Sequence, residues 1–347
     1  MKRIVTIAWL VFLFSVPLWI GSLYALHVLV MTGIFMIAAM SLNLLLGYTG
    51  QLSLGHVAFF GIGAYVSSLA ALGFSVHLLP GWRVTLDPQP VWFGMLCGIA
   101  GAGLCGWLIG KISFKVRGAY FVIVTVSFAE VIRLVALNWV ELTQGPMALN
   151  NIPPLKIVIP GLVDFAFLRK PANYYLVLTV AIVSYIVIRR FVNSRAGRAM
   201  IALRENESLA TSVGVDVTKY LVLATMISAA MAGTAGVIYA HYVRIVDPDV
   251  FLFIYTVTMV IMVVAGGKGT LTGPIVGGLI FGLMPEVLRA FEIKPEVQWV
   301  IYGILMLLVV YFLPTGIVPA VNGWWRRWRE GHATRPAGTN PAIGASS

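Results

Sequence analysis

Apolar residues along this chain gather into ten long runs, at 4–25, 27–46, 57–76, 91–110, 119–137, 174–188, 220–241, 250–266, 271–290 and 297–313. Several approach or exceed the roughly 20 residues that an α-helix needs to cross a hydrocarbon layer of about 30 Å. Lipid offers the backbone no hydrogen-bond partners, so helices that satisfy their own N–H and C=O groups must carry the chain across. The pattern predicts an all-α polytopic membrane protein of about ten transmembrane helices. Most breaks between runs are short. Two are long: a basic stretch at 190–219, and a proline-containing stretch at 138–173 that reads as an ordered cap rather than a flexible linker.

Composition agrees, with 59% hydrophobic residues, 11% charged residues and a mean hydropathy of +0.92. A net charge of +11 would suggest a nucleic-acid partner in a soluble protein. Here its placement carries the information. Ten spans put both termini on one side, and the loops of that side hold sixteen of the 24 lysines and arginines, including Lys111, Arg189, Arg190, Arg198, Arg204, Lys219 and Lys268. Positive charge is retained on the cytoplasmic face, so the expected orientation has N- and C-termini cytoplasmic, with the lipid bilayer and no nucleic acid as surroundings. Lys2 and Arg3 precede an apolar run that is long and lacks a small-residue cleavage pattern, so 4–25 reads as an uncleaved first span. Cys97 and Cys105 lie in one apolar run and read as packing residues.

Small residues recur at four-residue spacing. Gly94, Gly98, Ala102, Gly106 and Gly110 leave one helical face without bulk, as do Ala229, Ala232, Gly233, Gly236 and Ala240, and also Gly273, Gly277, Gly278 and Gly282 before Pro285. Such faces let two backbones approach closely, either within the chain or against another subunit. Polar residues in apolar runs are costly. Asn43 and the stretch GYTGQLSLGH, with Thr49, Gln51, Ser53 and His56, read either as a tight turn between spans or as a break lining a solute path. Glu130 and Arg133, three apart on one helical face, either neutralise each other or meet a zwitterionic solute. Gly266–Thr270 superficially matches a phosphate-binding loop, but the first glycine and the Ser/Thr after the lysine are missing, so ATP chemistry is not expected from it. Nor does any catalytic or metal-ligating constellation stand out.

Within 190–219 the pattern predicts two short helices meeting at Arg204–Glu207, the second capped by Asn206 or Ser208 and stopped at Gly214. Neither is long enough to be stable alone, so each needs something to pack on. After the last run, Trp324, Trp325, Arg326, Arg327, Trp328 and Arg329 read as a headgroup anchor, and the tail from Ala333 as disordered. The expected division is a transmembrane domain at 1–322 and an anchor with tail at 323–347.

Four segments carry a resemblance: SLNLLLGYTGQLSLGHVAFFGIGAY, GAYFVIVTVSFAEVIRLV, GRAMIALRENESLATSVGVDVTKYLVLATMISAAMAGTAGVIYAHY and VAGGKGTLTGPIVGG. In this order they resemble the branched-chain amino acid permease family of ATP-binding-cassette importers, specifically its LivM-type subunits, over about Leu42 to Leu313. The resemblance implies a type II-like importer permease in a bacterial inner membrane. Its implied partners are a LivH-like second permease, two cytoplasmic ATPases that bind the ATP and magnesium this chain does not, and a periplasmic binding protein for an amino-acid-like substrate. It also implies a coupling role for Gly197, Arg198, Ala199, Asn206, Glu207, Ala210 and Gly214, alongside Arg204 at the hinge. Ser208, Leu209 and Ala210 stand where importers usually carry Glu-Ala-Ala. Gln144–Leu149, Gln-Gly-Pro-Met-Ala-Leu, departs from the family's Gly-Gly-Pro-Asn-Gly-Leu-like stretch at the first, fourth and fifth positions. Urea, amides and aromatic acids are alternative substrates within the family, and an ion-coupled secondary transporter is the alternative outside it.

Overall fold

The computed structural model describes residues 11, 13–79, 82–114, 118–159 and 163–333. A helical stretch over 13–19 is followed by helices α1 (Leu23–Leu46), α2 (Val57–Leu72), α3 (Val91–Ser113), α4 (Ala119–Asn138), α5 (Lys170–Val192), α6 (Arg195–Glu205), α7 (Glu207–Ser212), α8 (Val217–Val243), α9 (Phe253–Gly266), α10 (Gly273–Ala290), α11 (Pro295–Phe312) and α12 (Ile317–Ala333). Among the described residues, α1, α3, α4, α5, α8 and α10 are long and apolar enough to cross a membrane, which makes the chain a polytopic membrane protein. These six coincide with six of the ten apolar runs. Helices α2 and α9 are apolar but only 16 and 14 residues long, and the run at 297–313 forms the 18-residue α11. Residues 4–10 of the first run, and the tail from 334, lie outside the described residues.

The purely helical expectation needs correction. Helix α2 stops at Leu72, where Gly73 turns the backbone at φ +74°, a value that suits a residue without Cβ. Instead of continuing a span to residue 76, the chain forms strand β1 (Phe74–Leu79), paired antiparallel with β2 (Trp82–Leu86), Phe74 opposite Leu86. A second hairpin, β3 (Lys156–Ile159) with β4 (Val163–Ala166), lies in the expected cap. The division at residue 322 also falls inside a helix, because α12 runs from Ile317 to Ala333 without interruption.

Helix α8 is the centre of the bundle, packed by α1, α2 and α3, while α10 packs on α1 and α9. In lipid the apolar effect does not press helices together, so close van der Waals approach must do so. The small-residue faces meet here. A Cβ added at Gly236 would lie 1.8 Å from the Phe60 carbonyl oxygen, and one at Gly63 would lie 2.3 Å from that of Gly233. Gly106 would meet the Ala229 methyl at 2.3 Å, Gly233 that of Ala102 at 2.4 Å, and Gly98 the Gly63 carbonyl at 2.7 Å. Gly277 stands equally close to the Met262 carbonyl, which joins α10 to α9, and Gly273 to the Gly267 carbonyl. Backbone therefore lies on backbone over much of the α2–α3–α8 contact.

At the end of α8 away from α7 sits the segment 138–173. Leu149 pairs with Val246, Arg244 Nε donates to the Ile152 carbonyl (3.1 Å), and the His241 ring bridges the Pro153 carbonyl (Nδ1, 2.7 Å) and Ser67 Oγ (Nε2, 2.6 Å). These bonds seat 149–153 on the end of α8, whose His241 in turn reaches α2.

Candidate functional site

The basic stretch between α5 and α8 folds as two capped helices. Ser194 Oγ accepts from Gly197 N–H (3.3 Å), Asn206 Oδ1 from Leu209 N–H (2.9 Å), and Asp216 Oδ1 from Lys219 N–H (2.9 Å), so α6, α7 and α8 each start on a side-chain cap. Gly197 is forced by the sharp turn out of α5, since a Cβ there would lie 2.2 Å from the Val192 carbonyl. Gly214 ends α7 at φ +87° with open space around it. Met200, Leu203 and Ala210 are buried, and Met200 packs with Leu45 and Ala224. Helix α6 thus packs on the end of α1 and the start of α8, and α7 packs on α6. Arg198 and Ala199 lie on the outer turns of α6, Arg198 donating to the Asn193 carbonyl (2.9 Å). Leu209 and Val213, 64% and 74% exposed, stand out from α7.

Arg204, at the hinge beside Asn206 and Glu207, ties this segment to the membrane helices. Its Nη1 donates to the Gly47 carbonyl at the end of α1 (2.6 Å), while its Nη2 pairs with Glu205. One turn back on α1, Asn43 reaches the loop before α10: its Nδ2 donates to the Thr270 carbonyl (2.8 Å), and its Oδ1 accepts from Gly269 N–H (2.9 Å). The packing admits no extra carbon here, because a Cβ at Gly47 would lie 2.2 Å from Asn43 Oδ1 and 2.3 Å from Gly269 N. Three elements far apart in sequence thus meet through Arg204, Gly47 and Asn43. Sequence reasoning marked Arg204 and Asn43 separately. Their connection runs through a backbone carbonyl, which residue identity cannot reveal.

The stretch 47–56 connects α1 to α2 and is buried at Gly47, Tyr48, Thr49, Ser53, Gly55 and His56. Thr49 Oγ1 donates to the Leu45 carbonyl (2.7 Å) and closes the end of α1, and Gln51 N–H bonds to the same carbonyl (3.2 Å). Ser53 is buried. Fully buried His56 bonds through Nε2 to Ser41 Oγ (2.8 Å), and Ser228 Oγ donates to the Ser41 carbonyl (2.5 Å), so Ser41 of α1 is tied both to the histidine at the start of α2 and to α8. Its Nδ1 has no partner in the structure. Ser41 and Ser228 were not marked from sequence; serines within apolar runs gave no signal apart from packing. Glu130 and Arg133 stand elsewhere, bonded to each other on α4 (2.7–3.1 Å), with Glu130 half-exposed. The structure therefore groups Asn43, Thr49, Gln51, Ser53 and His56 between α1 and α2 and leaves Glu130 and Arg133 on a separate surface.

Comparison with known proteins places this geometry. A family model described as a branched-chain amino acid transport system permease component matches residues 24–310. The LivM permease proteins of the high-affinity branched-chain amino acid transport systems of Salmonella typhimurium and Escherichia coli are 31% and 30% identical over 83% of this chain and 68% of theirs. The LivH permease of Escherichia coli is 28% identical over 86% of this chain and 92% of its own. No solved structure matches significantly. On that match, which takes in α1 to α11 and the hinged segment between α5 and α8, the chain belongs to the LivM-type branch of the branched-chain amino acid transport permease family.

Proposed function

We propose that the chain is the LivM-type half of the translocation path of an ATP-binding-cassette importer for branched-chain amino acids, set in a bacterial inner membrane. It works with a LivH-like permease, two cytoplasmic ATPases and a periplasmic binding protein. The reading places ten spans in the membrane with both termini cytoplasmic, the 190–219 segment toward the ATPases and the 138–173 cap toward the binding protein.

The observation that carries it is the hinged pair α6–α7: capped at both starts, anchored on α1 and α8 through Met200 of α6, and presenting Leu209 and Val213 outward. An isolated six-residue helix has no stability of its own. Exposed apolar side chains at the tip of a basic segment suit a groove in a partner rather than water. ATP binding would close the ATPase dimer and displace α6–α7, and Arg204 would pass that displacement to α1 at Gly47. Helices in glycine contact, with few interdigitated side chains, can shift against one another at low cost. The chain itself forms and breaks no covalent bond.

The test is reconstitution of the chain with its three kinds of partner in proteoliposomes. Leucine uptake should require all of them together with ATP, and Val213→Asp should prevent the ATPases from co-purifying. Vanadate-insensitive uptake by this chain alone would sink the proposal in favour of an ion-coupled carrier.

A further inference from the structure

A cleft of about 520 Å³ opens between α1, α9 and α10. That volume falls within the roughly 300–1,000 Å³ typical of small-molecule sites. Its inner part is apolar, formed by Phe35, Met262 and Phe281. Its mouth holds two opposite charges on one face of α10, Glu286 and Arg289, 3.3 Å apart. Glu286 also accepts from the Tyr24 hydroxyl. Between the two regions stands Thr32, only 3% exposed, whose hydroxyl has no hydrogen-bond partner. A buried hydroxyl left unpaired costs about 1–3 kcal/mol, so a lone Thr at this depth is an opening for a ligand's polar atom. Gly282 of α10 lies directly on this threonine, since a Cβ there would come within 2.7 Å of Thr32 Cγ2 and 3.2 Å of Oγ1.

We propose that this cleft is a substrate subsite for a small zwitterion with an apolar side chain. The carboxylate would sit on Arg289, the ammonium on Glu286 with Thr32 as an added partner, and the side chain among Phe35, Met262 and Phe281. The order of charges, hydroxyl and apolar wall matches an α-amino acid read from its backbone end inward. The inference rests on the proposed import of branched-chain amino acids and adds where this chain would hold them.

The experiment uses the complete transporter in lipid nanodiscs and a leucine analogue carrying a diazirine on its side chain, with adducts mapped by mass spectrometry after irradiation. Adducts are expected on the peptides that hold Phe35 and Met262. Excess leucine should suppress them, and Arg289→Gln should reduce them at least about tenfold, the loss of one charge-assisted hydrogen bond. Gly282→Val should abolish them by displacing the Thr32 side chain that it would clash with. Adducts found only elsewhere in a transporter that imports leucine would overturn the subsite while leaving the import function standing. Adducts in the cleft that excess leucine does not reduce would also overturn it, marking lipid-like occupancy. A wild-type complex that imports no leucine would overturn the function and the subsite together.

Discussion

Replacing Arg204 by Gln tests the path from the hinge to the membrane. The bond lost is Nη1 to the Gly47 carbonyl, 2.6 Å long, from a side chain 34% exposed. A hydrogen bond from a charged donor contributes about 1.5–3 kcal/mol. Partial exposure puts this one at the lower end, about 1.5 kcal/mol, or roughly tenfold in an equilibrium between coupled and uncoupled arrangements. The contact with Glu205 adds little, because both groups reach water. In proteoliposomes bearing the full transporter, leucine taken up per ATP hydrolysed should fall about tenfold in Arg204→Gln. Arg204→Glu should fall further, because a carboxylate would face the same carbonyl. Asn43→Ala breaks the next link in the chain. If the two links act in series, the double variant loses no more than the worse single variant, whereas independent contributions would add. An unchanged uptake-to-hydrolysis ratio in both Arg204 variants would refute the reasoning.

Gly236→Ala should prevent recovery of folded protein, since the added carbon meets a backbone oxygen at 1.8 Å, whereas Gly101→Ala, 3.6 Å from the Val66 side chain, should melt within a few degrees of wild type; fluorescence-detected size exclusion after heating separates them. Ala148 is held at φ 60°, ψ 152°, a conformation that costs a residue with a Cβ about 1–3 kcal/mol, so Ala148→Gly should raise the melting temperature. His77, through its ring (2.5 Å) and its backbone N–H (2.9 Å), holds the Glu141 carboxyl below its ordinary value of 4.5. A depressed carboxyl pKa stabilises the fold above the unfolded value and stops doing so as pH falls through the folded one. Protection of the Phe74–Leu86 hairpin against hydrogen exchange should therefore hold down to pH 4.5 and fall below it, and Glu141→Gln should remove that dependence. Arg133→Gln alone should lower the yield of folded protein more than Arg133→Gln with Glu130→Gln, because the single change leaves an unpaired carboxylate on α4; equal yields would contradict this.

Much of this was readable in the residues, for identifiable reasons. Helices α1, α3, α4, α5, α8 and α10 were visible because each buries its backbone in its own hydrogen bonds, and length alone then distinguishes a span. The hinge was visible because Asn206 and Gly214 are local signals: a cap and a left-handed stop act on their own neighbours. The glycine faces were visible as a period, but their partners were not, since which backbone lies against Gly236 is decided by tertiary packing. The hairpin after Gly73 was missed because Phe74–Leu79 is apolar enough to pass for the end of a span. The Arg204–Gly47 bond, and the cleft at Thr32, depend on groups that carry no side-chain signature or that acquire meaning only when α1, α9 and α10 are brought together. The departures at Gln144 and Ala148 from a glycine-containing family stretch coincide with positive φ at both residues, so the resemblance located strain that composition could not.

The glycine contacts of α3 also have a cost in time. Gly106 of α3 meets Ala229 of α8, a residue made about 120 positions later, and a ribosome adding roughly 5–20 residues per second needs on the order of ten seconds to supply it. For that interval α2 and α3 have no α8 to cover the part of their faces that packs on it. Until the eighth helix arrives those bare glycine faces are open to other helices, so slowing synthesis between α3 and α8 lengthens the time in which a wrong partner can take α8's place.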